Sequence, residues 1–179
     1  MPSKSPLSSA FGRIAAGFAV TAVAVVGWTQ LSAQALGSHN TNAPVSFDAD
    51  RMELQDRQNR VVLSGNVVIN QGGLRLQAAR TTVAYSDAGT LQIQRLDATG
   101  GVVVTRGNES ARGSSAVYDF NRRVIVMTGG VALRRGGDTL NGGRLVIDLR
   151  TGLASIDGRS SGGSSPSGRV SGTFSVPDN

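Results

Sequence analysis

The sequence has no cysteine, a single histidine and, beyond Lys4, no lysine. Without cysteine there is no disulfide, no thiolate nucleophile and no thiolate metal site. The one histidine, His39, sits near the start of the exported part of the chain, where a lone imidazole is expected to face solvent rather than do chemistry. No Ser-His-Asp or Cys-His set can be assembled around it in an ordered core. Phosphate-cradling loops of the GxxxxGK[ST] or GxGxxG type are missing, so the chain has no visible means of using a nucleotide. No catalytic residue, no metal and no cofactor is therefore expected, and an enzyme is the least supported class. Aromatic residues are also few, with five Phe, two Tyr and one Trp. Beyond residue 35 no apolar run is long enough for a membrane helix, and no stretch carries the capped pattern of an amphipathic one.

Charge is unbalanced but dispersed. From residue 36 onward there are 16 arginines and 12 acidic residues, a net charge of +4. The arginines stand singly or in the pairs Arg122-Arg123 and Arg134-Arg135, with acidic residues between them. No basic helical face and no aromatic run accompanies them, which argues against nucleic acid as a partner. A solvated sheet surface explains most of them, and a few could meet phosphates or acidic sugars. Asp48, Asp50, Glu53 and Asp56 form the one acidic cluster, but Ala49, Arg51 and Met52 interrupt any calcium-loop spacing. Asn108-Glu109-Ser110 matches a glycosylation sequon, a tripeptide common enough by chance to carry no weight.

What is present is an export segment and a long series of strands. Lys4 and Arg13 open the chain with positive charge, Ile14 to Trp28 is an uncharged and mostly apolar run of 15 residues, and Ser32-Ala33-Gln34-Ala35 has the small-x-small pattern of a cleavage site. Residues 1–35 read as a signal peptide removed on export, leaving Leu36 to Asn179, 144 residues, enough for one domain. Residues 36–44 are polar and read as a flexible start. From Val45 the apolar positions recur with period two, as in Val61, Leu63, Val67 and Ile69, in Val102 and Val104, and in Leu145, Ile147 and Leu149. Gly- and Asn-rich clusters at 71–73, 87–89, 106–108, 121–123, 135–137 and 141–143 read as turns between strands. The motif Ser64-Gly65-Asn66-Val67 recurs as Thr99-Gly100-Gly101-Val102 and Thr128-Gly129-Gly130-Val131, suggesting a repeated hairpin unit. Residues 158–168 have the Ser/Gly composition of a linker, and residues 169–179 read as a last strand and tail, with Pro177 as its stop. The fold class is all-β, a sandwich, roll or barrel over residues 45–157.

Phe47, Tyr85, Tyr118, Phe120 and Phe174 all fall on the apolar phase of their strands. A small roll lined by Val, Leu, Ile and Ala can close on itself or leave a groove for apolar chains. The segments Ser46-Phe47-Asp48-Ala49-Asp50-Arg51-Met52, Val61 through Gly72 with Ser64-Gly65-Asn66-Val67 at its centre, Leu76 to Arg80, Tyr118-Asp119-Phe120 and Val126 to Val131 resemble the OstA-like family of LptA-type periplasmic proteins. The resemblance runs from about Val45 to Asp157; it departs where Gly101 and Gly130 replace Asn and in the long Ser/Gly linker. It implies a single V-shaped antiparallel β-jellyroll in the periplasm. It implies lipopolysaccharide as ligand, its acyl chains lying between the two sheets. It also implies head-to-tail self-association and partners of two kinds, an LptC-like inner-membrane protein and an LptD-like outer-membrane translocon. On that picture Val45 and Phe47 lie on the first strand, where lipid comes in, and Tyr118 and Phe120 lie deeper. With Val67, Ile69, Val104 and Leu133 on the same apolar phase, these are the expected lipid-binding residues. Two other readings stay open: a membrane-anchored LptC-like protein of the same pathway, and a structural β-repeat module that binds proteins or glycans.

Overall fold

The computed structural model of the protein describes residues 39–87, 89–159 and 168–176. The signal peptide read at residues 1–35 and most of the Ser/Gly linker lie outside the described residues. Ten strands follow one another: β1 (Ser46–Asp48), β2 (Arg51–Gln55), β3 (Arg60–Gln71), β4 (Leu74–Asp87), β5 (Leu91–Arg106), β6 (Glu109–Asp119), β7 (Val124–Arg135), β8 (Asp138–Asp148), β9 (Ala154–Asp157) and β10 (Ser171–Thr173). A single 3-10 turn, Asp56–Gln58, joins β2 to β3. All pairings are antiparallel, and consecutive strands from β3 to β8 are neighbours. β1 and β2 share one flank of β3, while β9 and β10 share the outer flank of β8. The result is one open antiparallel sheet whose two ends are each a broken edge strand.

The central strands are long because each is two strands joined by a crease. β5 runs for 16 residues, roughly three times the usual strand length. The register shifts between Ser64 and Val67, between Thr99 and Val102 and between Thr128 and Val131, at one level across the sheet. These are the three copies of the repeated motif. One copy stands in each successive hairpin, as the repeat implies, but in the middle of β3, β5 and β7 as a bulge. Both central residues of each copy have positive φ: Gly65 +76° and Asn66 +46°, Gly100 +86° and Gly101 +76°, Gly129 +84° and Gly130 +66°. Such extra residues bend a strand and sharpen its twist.

The two positions of the motif carry different constraints. A Cβ on Gly129 would fall 2.5 Å from the Ser114 hydroxyl, and one on Gly100 would fall 2.6 Å from the Cβ of Ala79. The second position has open space at Gly101 and Gly130, so it needs only a residue that tolerates the left-handed region. Asn does so at little cost, which explains how Asn66 is equivalent to Gly101 and Gly130. Asn66 also donates to the Asp50 carboxylate at 2.9 Å, tying the gap between β1 and β2 to the crease.

The partner strands bend by changing phase. In β4 the inward residues are Leu74, Leu76 and Ala78 before the crease and Thr81 and Tyr85 after it. In β8 the change falls at Gly142-Gly143. Asn141-Gly142-Gly143, expected as a turn, is not one: β8 continues through it. Gly is required there because a side chain on Gly142 would run into Ile156 and the backbone of Asp157 on β9. The creased sheet folds its two halves face to face. Their inner side chains form one core that runs from Leu63 in β3 to Leu149 after β8.

Candidate functional site

The eight residues expected to contact an apolar ligand separate into three environments. Val67, Ile69, Val104, Tyr118 and Leu133 lie in the interior, each no more than 5% exposed. Val45 and Phe120 are half-buried and pack against that core. Phe47 is 48% exposed. It stands opposite Ile69 on β3, so it faces inward, but β1 is an edge and no other described strand pairs with its outer side. The sequence thus identifies an apolar inner face, whereas in this conformation its own side chains fill the space between the halves. Among the described residues the cleft beside this interior is small, about 250 Å³, and lined by Pro44, Ser46, Asn70, Gln71, Gly72, Gly73, Leu74 and Arg75.

The edges are where inward-facing apolar residues meet solvent. On β2, Met52 pairs with Leu63 and Leu54 with Val61, which puts both on the inner face; both are exposed. At the other end Gly172 stands opposite Leu140. Val170, Phe174 and Val176, just outside β10, are exposed. Sequence reading missed Met52 and Leu54, although their alternation with Arg51 and Glu53 carries the signal. Asp138 holds this second edge: its carboxylate accepts from the Ser175 backbone N–H at 2.9 Å and from the Ser175 hydroxyl at 2.8 Å. Those two bonds lower the Asp138 pKa below the usual carboxylate value.

A polar cluster closes the mouth opposite the crease. Gln71, the last residue of β3, is buried and donates from its amide nitrogen to the carbonyls of Thr41 and Ala43 at 3.0 and 3.1 Å. That fixes its oxygen as the acceptor for the Tyr118 hydroxyl, at 3.0 Å. It equally fixes His39 Nε2, 3.0 Å from the same oxygen, as a donor. Tyr118 stacks on Phe120 with ring centroids 4.0 Å apart. Burial pushes the Tyr118 hydroxyl up to about 12, with Arg123 pulling the other way. The expectation that His39 faces solvent is corrected: it is 7% exposed. The reason is a partner 32 residues away, which sequence position alone does not reveal. The cluster has no nucleophile paired with a base, and no group of metal ligands is found among the described residues.

Against known proteins, residues 46–153 match the family described as "LptA/(LptD N-terminal domain) LPS transport protein". A curated relative, the uncharacterized protein R00383 of Rhizobium meliloti (strain 1021), is 28% identical over 94 residues, 49% of this chain and 50% of the relative. The chain therefore spans about half the length of that relative. Among solved structures, the fold is similar to that of LptH from Pseudomonas aeruginosa, described as the LptA homologous periplasmic component of the conserved lipopolysaccharide transport device. That match has a TM-score of 0.68 at 20% identity and covers 76% of this chain and 98% of LptH. The architecture is thus an LptA-like β-jellyroll, and by a match over most of its described residues the chain belongs to the LptA/LptD N-terminal-domain family of lipopolysaccharide transport proteins.

Proposed function

We propose that this protein is a periplasmic carrier of lipopolysaccharide, taking acyl chains between the two halves of its creased sheet. The observation that carries this reading is that apolar residues are left exposed at both edges: Phe47, Met52 and Leu54 on the inner face of one, and Val170, Phe174 and Val176 beside β10 at the other. The core between them is a continuous apolar path. A lipid tail in water loses about 0.8 kcal/mol for each exposed CH₂, so parting the halves along this apolar core would give a tail shelter along its whole length. The same broken edge strands leave backbone donors and acceptors free for strand addition. Head-to-tail self-association is one use of them; pairing with an LptC-like inner-membrane protein at one end and an LptD-like translocon at the other is the second. Residues 1–35 would be the export signal and 45–157 the carrier domain. Transport along such a bridge needs an energy source in a partner, since the sequence carries no phosphate-cradling loop. Val45, Phe47, Val67, Ile69, Val104, Tyr118, Phe120 and Leu133 are the proposed acyl-chain contacts.

The test is binding of purified lipopolysaccharide by the full chain and by Phe47→Glu and Tyr118→Glu. A carboxylate beside acyl chains is strongly disfavoured. Both variants should bind at least tenfold more weakly while keeping a β-sheet circular dichroism spectrum. Unchanged binding in both folded variants would remove the acyl-chain path from this interior.

A further inference from the structure

We propose that residues 39–43 form a strap across the mouth of the folded sheet that must be released before an acyl chain passes between its halves. This rests on the carrier reading above and adds its control. The strap touches both halves. On one it is held by Gln71, which bonds His39 and the carbonyls of Thr41 and Ala43. On the other, the Asn42 side chain accepts from Arg123, in the turn between β6 and β7, at 3.4 Å. Gln71 also receives the Tyr118 hydroxyl from that second half. One amide thus joins strap, first half and second half at the free ends, where separation of the halves would begin.

The way the strap is held suits a device that opens. It has no strand pairing and leans on a few polar bonds, whereas the sheet behind it is paired throughout. Segments held by few bonds, outside the apolar core, are the first to open. Chain continuity sets the consequence. The strap leads through Pro44 into β1, whose Phe47 is the exposed inner residue of the first edge. Lifting the strap uncovers Tyr118 and frees that edge together.

The experiment uses the full chain carrying Asn42→Cys and Arg123→Cys. The protein has no cysteine of its own, so a short bis-thiol-reactive linker gives one product, and the same variant is compared before and after joining. Uptake of hexa-acyl lipopolysaccharide is followed by fluorescence of a labelled lipid. The joined form should take it up at least fivefold more slowly than the unjoined form, and His39→Ala at least twofold faster than the unaltered chain. Equal rates before and after joining overturn the strap, and so does unchanged or slower uptake by His39→Ala. If the unaltered chain takes up no lipopolysaccharide, the carrier reading itself falls and the strap's role falls with it. Uptake by the unaltered chain with no effect of joining removes the strap alone.

Discussion

Ile147 in β8 and Phe47 in β1 both point to the inner side of the same sheet, yet one is fully buried and the other half-exposed. Ile147 has β7 on one flank and β9 on the other; Phe47 has β3 on one side and no second strand among the described residues. Position in the strand order, not hydrophobicity, decides which apolar residue serves folding and which stays available to a ligand. The comparison can be broken by truncating each. Ile147→Ala should cost about 3 kcal/mol, within the range for buried large-to-small changes, read as a drop in urea midpoint. Phe47→Ala should cost less than about 1 kcal/mol and show its main effect in lipid binding. Similar losses of stability at the two sites would contradict the division between core and edge.

The crease offers the second comparison, between the two positions of one motif. Gly129→Ala puts a methyl group against Ser114 in a backbone region costly for any side chain, and should destabilise by about 2 kcal/mol or more. Gly130→Asn meets open space and reproduces what stands at Asn66, so its cost should be within about 0.5 kcal/mol. Thermal unfolding of the two variants checks this; equal losses would mean that left-handed geometry alone, not the close approach of Ser114, governs the motif.

Titration sharpens the contrast between interior and edge. Tyr118 has its folded pKa raised to about 12 from 10.0. Its contribution is fully present below pH 10 and is lost as pH rises toward 12, because the unfolded chain ionises first. The loss amounts to roughly 3 kcal/mol. Tyr118→Phe should flatten that alkaline slope, measured by chemical denaturation between pH 9 and 12, the range set by the shift itself. At the second edge Asp138 is shifted the other way. Its hold on Ser175 is present above the ordinary carboxylate range and is lost as pH falls through the lowered value. The smallest effect expected is therefore local: Asp138→Asn should speed hydrogen exchange at Ser175 with little change in global stability. Self-association should weaken when residues 169–179 are deleted, since β10 lies within them, and light scattering showing an unchanged assembly would take that edge out of it.

Much of this architecture is legible in the residues. Period-two alternation marks the strands, and Gly65-Asn66, Gly100-Gly101 and Gly129-Gly130 stand out as a repeat. What the residues do not separate is a turn from a crease. Arg135-Gly136-Gly137 ends β7 while Asn141-Gly142-Gly143 lies inside β8, because both need small residues and only the neighbouring strand distinguishes them. The strap was hidden for a related reason. His39 is buried through bonds to Gln71, and Gln71 through bonds to Tyr118, a chain of long-range contacts without local pattern. Tyr118 and Phe47 carry the same apolar phase in sequence, and it takes the strand order to place one inside and the other at the rim.

Val117 and Tyr118 are adjacent in β6 and face opposite sides of the sheet. The most direct measurement is photocrosslinking to lipopolysaccharide from a photoreactive amino acid placed at each in turn. A crosslink is expected from position 118 and none from 117. Equal labelling at both, or labelling at 117 alone, would contradict a lipid path through the interior.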